Sequence, residues 1–305
     1  MNTLRCLLPF WLRNFIYLRI QRIAFSLYKK RVLRYYRQNP SEVKDDCMKE
    51  ALHFLRRNPF TSFPFPFSKE YSEKSVKACW DKEKQMHYCL LDGKRLYFPH
   101  KMKPQQIRRQ FCNLLIEQHP QSAHRYITGK FAVHEGDIVI DAGAAEGNFS
   151  LSVIEKASKL VLIEVNPDWL EALNATFEPW KDKTTIINKF ISDHNSDNTI
   201  TMDKIVEEIH GADFIKIDVE GEESRVLAGS KQTMNLLKPP KIALCTYHKE
   251  GDPESLFSSL QENGFLSDFS DGYLIYVSRK GLEFPYLRKG ILRAYKSGDH
   301  SVSQK

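Results

Sequence analysis

The feature that most constrains this chain is a glycine turn that follows an apolar strand. The run Asp137-Ile138-Val139-Ile140 leads without a break into Asp141-Ala142-Gly143-Ala144-Ala145-Glu146-Gly147-Asn148-Phe149. A continuous apolar run suits a parallel strand covered on both faces. Gly143 and Gly147 then let the backbone turn tightly and approach a ligand where a helix begins. Their spacing is Gly-x-x-x-Gly, whereas a dinucleotide pyrophosphate asks for Gly-x-Gly-x-x-Gly. Asp141 and Glu146 would oppose a polyanion, but they are compatible with a cationic, amino-acid-bearing ligand such as S-adenosylmethionine. A nicotinamide-dependent oxidoreductase is disfavoured on the same spacing.

The rest of the pattern fits a doubly wound α/β fold with a mostly parallel sheet and an N-terminal, mainly helical extension. After the turn, helix-like and strand-like segments alternate: helix 148–156, strand 160–164, helix from Pro167, strand 185–188 and helix 202–209. Then come strand 214–218, helix 222–230, strand 242–247 and helix 253–263. Such alternation gives right-handed crossovers, with ligands at the carboxyl ends of the strands. Residues 272–279 alternate like an edge strand. Upstream, Asp92-Gly93 between two apolar runs signals a hairpin, and residues 104–118 read as a helix. Residues 30–58 read as helical with a break at Asn39-Pro40. The stretch Asn58–Phe67 has three prolines and four phenylalanines, so it reads as an extended connector whose rings anchor it to the body. The expected division is residues 1–70 for the helical extension and connector, 71–290 for the main α/β domain with a core over 130–280, and 291–305 for a polar tail.

Charge is concentrated at one end. The first 41 residues hold nine Arg and Lys and no Asp or Glu, so a chain of net charge +7 leaves −2 for the remainder. A near-neutral main domain argues against a nucleic-acid track across it, and no nucleic-acid partner is expected. Cys6, Cys47, Cys79, Cys89, Cys112 and Cys245 are scattered without a Cys-x-x-Cys pair, which excludes a zinc knuckle and a secreted disulfide framework. The usage suits a reduced, cytoplasmic setting. Leu4–Tyr28 is apolar and aromatic, yet its longest uncharged run, Cys6–Leu12, is far short of the ~20 residues of a membrane span. Trp11, Phe15 and Tyr17 among arginines suit the headgroups of an anionic membrane, reached through residues 1–37. A basic helix packed on the protein or a partner is the alternative.

Three further segments carry chemistry. Glu164 closes the strand after the glycine turn, where an acidic side chain can accept both ribose hydroxyls. Asp193, after the third strand, has the adenine amino group in reach. The expected cofactor set is Asp141, Gly143, Ala144, Gly147, Asn148, Glu164 and Asp193. The segment Asp213-Phe214-Ile215-Lys216-Ile217-Asp218-Val219-Glu220-Gly221 places Lys216, Asp218 and Glu220 at the mouth of the fourth strand, and Tyr247-His248-Lys249 ends the fifth. Asp218 and Glu220 could instead simply cap the helix that follows. No other histidine has a partner spacing that singles it out.

Asp137–Ser150, Glu164-Val165-Asn166-Pro167, the Phe-Ile-Lys-Ile-Asp-Val-Glu-Gly core of Asp213–Gly229, and Thr246-Tyr247-His248 resemble the FkbM-type methyltransferases, over roughly residues 90–280. Ala144-Ala145-Glu146 departs from that pattern, where a polar residue or His often follows Ala. The resemblance implies S-adenosylmethionine-dependent O-methylation, commonly of sugar or polyketide hydroxyls in polysaccharide and natural-product pathways. A hydroxyl is a weak acid, so transfer to it asks for a positioned base or a metal. His248 is the expected base, with Asp218 orienting the acceptor and Lys216 facing the same centre. Asp218 and Glu220 are also candidate ligands for a divalent cation such as Mg²⁺, without a third ligand in view. The favoured acceptor is a glycan or glycolipid precursor at the cytoplasmic leaflet. The alternatives are a methyltransferase of a non-glycan acceptor and a Rossmann-like membrane-surface module that has lost catalysis.

Overall fold

The structure is a computed structural model that describes residues 10–296, with side chains from Arg22 onward. The side chains of the expected membrane-facing aromatics Trp11, Phe15 and Tyr17, and the tail from 297, lie outside what is described. Helices α1 (Phe10–Gln38) and α2 (Asp46–Arg57) lead through the connector to a small antiparallel sheet of β1 (Cys79–Asp81), β2 (Met86–Leu91) and β3 (Lys94–Phe98), and on to α3 (Pro104–Glu117). The main run follows as β4 (Ile138–Ala142), α4 (Asn148–Val153), β5 (Lys159–Ile163), α5 (Pro167–Phe177) and β6 (Thr184–Ile187). After the short pair β7 (Phe190–Ile191) and β8 (Thr199–Ile200) come α6 (Met202–Ile209), β9 (Phe214–Ile217), α7 (Glu223–Ala228), α8 (Lys231–Met234), β10 (Lys241–Cys245) and α9 (Asp252–Glu262). The described chain closes with β11 (Leu266–Phe269), the hairpin of β12 (Val277–Ser278) and β13 (Gly281–Leu282), and β14 (Ile291–Tyr295).

Seven strands form the central sheet in the order β11-β14-β10-β9-β4-β5-β6. Strands β10, β9, β4, β5 and β6 run parallel, and β14 enters antiparallel between β10 and β11. The strands alternate cleanly between two cores. Val139, Leu160, Leu162, Phe214 and Ala243 face one layer, with α3, α4 and α5 residues among them. Ile140, Val161, Ile163, Ile215, Ile217 and Leu244 face the other, with Ile205, Val226, Leu256 and Leu260 of α6, α7 and α9. A side-chain period of two on strands buried on both sides gives this result. Helix starts follow local chemistry: Asp45, Asn166 and Thr201 accept backbone N–H groups at the starts of α2, α5 and α6, and Pro104 and Pro167 open α3 and α5.

The chain leaves β4 outward through β5 to β6, then returns to β9 on the other side of β4. That reversal opens a crevice at the carboxyl ends of β4 and β9, where ligands bind in sheets of this kind. The first core also continues without a break into the N-terminal helices: Val32, Tyr36, Ala51 and Leu55 are buried in it with Phe63, Phe65 and Phe67 of the connector. No helix among the described residues is long and apolar enough to cross a membrane.

Two expectations need correction. Residues 272–279 are not the sheet edge. Tyr273, Leu274 and Ile275 are all buried in succession, which pins the segment over the core; Leu274 forms an isolated bridge with Arg288, and Val277-Ser278 pairs with Gly281-Leu282. The sheet edge is β11 instead. The polar tail does not begin at 291 either: Ile291, Leu292 and Ala294 are fully buried and β14 completes the sheet. Arg293 within this stretch donates from its guanidinium to the Arg125 and Tyr126 carbonyls.

Candidate active site

A cavity of about 700 Å³ opens at the crevice. Gly143 and Ala144 line it from the turn after β4, Glu164 from the end of β5, and Lys216, Asp218 and Glu220 from the end of β9. His248 enters beyond β10. Gly143 has φ +78°, and a Cβ there would lie 1.9 Å from the Asp218 carbonyl oxygen. The turn therefore needs glycine both for its left-handed backbone and for the closeness of the neighbouring strand. Gly147 also has positive φ, and a Cβ there would meet Leu173 Cδ2 at 2.6 Å, so it lets α5 close over the turn rather than facing the cavity.

Beneath the turn lies a buried ion pair. Asp141 and Lys216 sit opposite each other in the β4–β9 register, with Lys216 Nζ 2.9 Å from Asp141 Oδ1. Lys216 also donates to the Gly143 carbonyl at 2.6 Å, and Ser150 Oγ donates to Asp141 Oδ2 at 2.7 Å. Burial alone would lower the lysine pKa, but Asp141 and Asp218 outweigh it and hold the ammonium well above its ordinary range. Lys216 therefore stays charged. It ties the glycine turn to β9 and is not free to shuttle protons.

A set of titratable side chains clusters around Asp218. Tyr126 Oη donates to Asp218 Oδ2 at 2.7 Å, while His248 Nε2 lies 3.5 Å from Oδ1 and His124 Nε2 3.8 Å from Oδ2. Burial would raise the Asp218 pKa, but Lys216 and then His248 override it, so the carboxylate remains ionised well below the usual range. His248 is fixed from behind, with Nδ1 2.8 Å from Glu223 Oε1. That oxygen also accepts from the Val219 and Gly221 backbone. Burial would lower the His248 pKa, yet the Glu223 hydrogen bond and the Asp218 charge raise it overall. His124 moves the other way: burial pushes it down to about 4, and its Nε2 shares a hydrogen bond of 2.8 Å with Tyr247 Oη. The two imidazoles flanking one carboxylate are thus shifted in opposite directions.

The wall of the cavity built by α3, the glycine turn and the end of β5 is acidic. Burial, with Glu146 and Asp218 nearby, pushes Glu117 up to about 8. Burial raises Glu146 as well, and Gln110 donates to its carboxylate. Glu164 Oε2 accepts from Ala145 N at 2.8 Å, and Oε1 accepts from Val165 N and Asn166 N at 2.9 and 2.7 Å. These bonds aim the carboxylate at the rim and leave lone pairs for further donors.

Of the residues expected from sequence, Gly143, Ala144, Asn148, Glu164, Lys216, Asp218, Glu220 and His248 meet at this cavity. Asp141 lies under it, Gly147 beside it, and Asp193 outside it. Asp193 is exposed, paired with Arg225 at 3.1 Å and bonded to His194, an arrangement that holds it on the surface of α7. Glu220 has φ +56° and accepts from Tyr276 Oη at 3.2 Å. It joins neither group of metal-capable side chains, which are Asp218 with Glu223 and His248, and Asp218 with His124 and Cys245. Sequence reasoning missed Glu117, His124, Tyr126, Glu223 and Tyr276. His124 and Tyr126 sit in a loop ahead of β4, over ninety positions from Asp218, so no local spacing marks them. Phe63 of the connector lines the cavity as well as anchoring the chain.

A family model described as the methyltransferase FkbM domain matches residues 92–267, from the first hairpin to β11. No curated protein matches the chain. Among solved structures it is similar to a methyltransferase FkbM from Methylobacillus flagellatus KT, at 16% identity and TM-score 0.43, covering 63% of this chain and 54% of that one. The chain thus spans about half the length of that relative. It is also similar to a precorrin-6y C5,15-methyltransferase from Geobacter metallireducens GS-15, at 13% identity and TM-score 0.39, covering 55% and 84%. A third similarity is to magnesium protoporphyrin IX methyltransferase from Synechocystis PCC 6803 with bound SAM, at 18% identity and TM-score 0.34, covering 53% and 71%.

Proposed function

Because this chain belongs to the FkbM methyltransferase family, we propose that it moves a methyl group from S-adenosylmethionine to a hydroxyl oxygen, carried by a sugar of a polysaccharide or glycolipid precursor. The observation that carries the reading is the set Asp218, His248 and Glu223 beside a glycine turn at the switch point of the sheet.

The residues present fit the cofactor. Gly143 brings bare backbone to the cavity wall, Glu164 offers a carboxylate at the rim, and the acidic lining favours a cation over a polyanion. In this reading Glu164 takes the ribose hydroxyls, and Gly143, Ala144 and Asn148 hold the amino-acid end. When bound, S-adenosylmethionine supplies a methyl group already activated on a sulfonium. The protein then has to align an oxygen and remove its proton. Asp218, held ionised, orients the acceptor so that its hydroxyl proton faces the imidazole. Neutral His248 takes the hydroxyl proton at Nε2, while Glu223 holds Nδ1–H and steadies the imidazolium that forms. Lys216 keeps the turn in place through Gly143.

A divalent cation fits less well. Asp218 Oδ2 already accepts from Tyr126 and Glu223 Oε1 already holds His248, so one oxygen of each carboxylate is already engaged. The mechanism uses none. Residues 1–37, basic throughout, would bring the enzyme to an anionic leaflet where lipid-linked acceptors lie.

The test is calorimetric titration of S-adenosylmethionine into the full chain, with Glu164→Ala alongside. The expected result is micromolar binding, about −8 kcal/mol, that weakens sharply in the variant. No binding would sink the reading. Radioactive methyl incorporation into a lipid-linked glycan fraction then tests the acceptor class, and label confined to protein or nucleic acid would overturn it.

A further inference from the structure

A second cavity of about 760 Å³ adjoins the first and shares Glu220, His248, Tyr276 and Arg279 with it. Its character is different. Five cationic side chains line it: Arg31 of α1, Lys249 after β10, Arg279 and Lys280 at the β12–β13 turn, and Arg288. Only Glu220, Glu250 and Glu283 counter them.

The cations have unequal freedom. Arg288 is spent on the fold, its guanidinium donating to the Tyr247, His248, Glu283 and Phe284 carbonyls. Arg31 is anchored by Nε to Tyr286 Oη at 2.9 Å and by one Nη to the Leu282 carbonyl at 3.1 Å. Those bonds fix its position and leave its charge uncompensated by any carboxylate among the described residues. Arg279 and Lys280 are exposed and enter no ion pair there. Unpaired cations held around a concavity are a ready anion site. The wall shared with the first cavity includes His248, so a molecule seated in the second can present a hydroxyl to the imidazole.

We propose that the second cavity is the acceptor subsite and that it takes an acceptor carrying an anionic group, phosphate or carboxylate, gripped by Arg31, Arg279 and Lys280 while its hydroxyl reaches His248. This rests on the methyl-transfer reading and adds the chemical class of its substrate. The three gripping residues all lie outside residues 92–267, the stretch the family model matches. The N-terminal helix and the C-terminal segment therefore supply substrate choice, and the matched stretch supplies the reaction centre.

The experiment uses the full chain at constant ionic strength, with pyrophosphate and citrate as the phosphate and carboxylate probes. Binding is read by calorimetry beside an S-adenosylmethionine titration of the same sample. One of the two anions is expected to bind, and Arg279→Ser with Lys280→Ser to weaken it about tenfold, the scale of two charge-assisted contacts at a partly solvated site. Arg31→Gln should weaken it further. The preferred probe identifies the source of the anionic group. Binding of neither anion, or binding unchanged in the double variant, overturns the proposal. Because cofactor binding is measured separately, an intact S-adenosylmethionine titration with no anion binding fails the subsite alone, and a failed cofactor titration fails the methyl-transfer reading itself.

Discussion

His248 carries opposing influences that can be separated by substitution. Burial favours the neutral ring, and Glu223 with Asp218 favours the charged one and prevails, so its pKa lies above the ordinary 6.5. The base form grows as pH rises, so kcat/KM should climb through an acid limb placed above 6.5. Stability runs in the opposite sense: a raised histidine pKa stabilises the fold below the unfolded value and loses that contribution as pH rises through the folded value. Glu223→Gln keeps the shape and removes one of the charges that oppose burial. The limb should then shift to lower pH, and an unshifted limb would mean another group is the base. Asp218→Ala and His248→Ala should each abolish turnover while leaving S-adenosylmethionine affinity largely intact in the same calorimeter. Lys216→Met would strand Asp141 as a buried charge, so denaturant unfolding should show a loss of about 3–5 kcal/mol.

At the scale of elements, the turn between β4 and α4 is the most constrained. Gly143→Ala places a methyl group on the backbone oxygen of the adjacent strand and forces a positive φ on alanine. Cofactor binding should be lost, with unfolding at least ~2 kcal/mol easier; near-normal affinity would show that the β4 and β9 ends can part. This turn was legible in the sequence because its determinants are contiguous, and so were α6, β4 and β9, whose apolar periods are unbroken. Segment 272–279 misled because three successive buried residues, Tyr273 to Ile275, contain an alternation that packing does not use. Half the site was illegible for a different reason. Asp218 owes its environment to Tyr126 and His124, which tertiary folding alone brings near, and a sequence read locally contains nothing that joins them. Glu223 looked like one more acid at the start of a helix, yet its burial beside His248 makes it the residue that fixes the imidazole.

For the molecule as a whole, the N-terminal helices belong to the same core as the sheet. Val32 and Tyr36 are buried, and Tyr36 Oη accepts from Leu287 N at 3.3 Å. Tyr36→Ala should cost about 3 kcal/mol, read as a fall in Tm, and deleting residues 1–38 should leave a poorly folded protein. A truncated chain of full stability would show that α1 is an appendage. The two cavities divide the molecule electrostatically, one acidic, the other basic, with His248 on their common wall.

Strand β14 has an effect on the order in which the protein can be assembled. Among the described residues it is the last strand in sequence, yet it lies between β10 and β11, and β11 has no other partner in the sheet there. During synthesis β10 therefore emerges with one open edge, and β11 waits beside a gap until Ile291–Tyr295 has left the ribosome. A nascent chain of this kind is exposed to edge-to-edge association until its final strand threads into place.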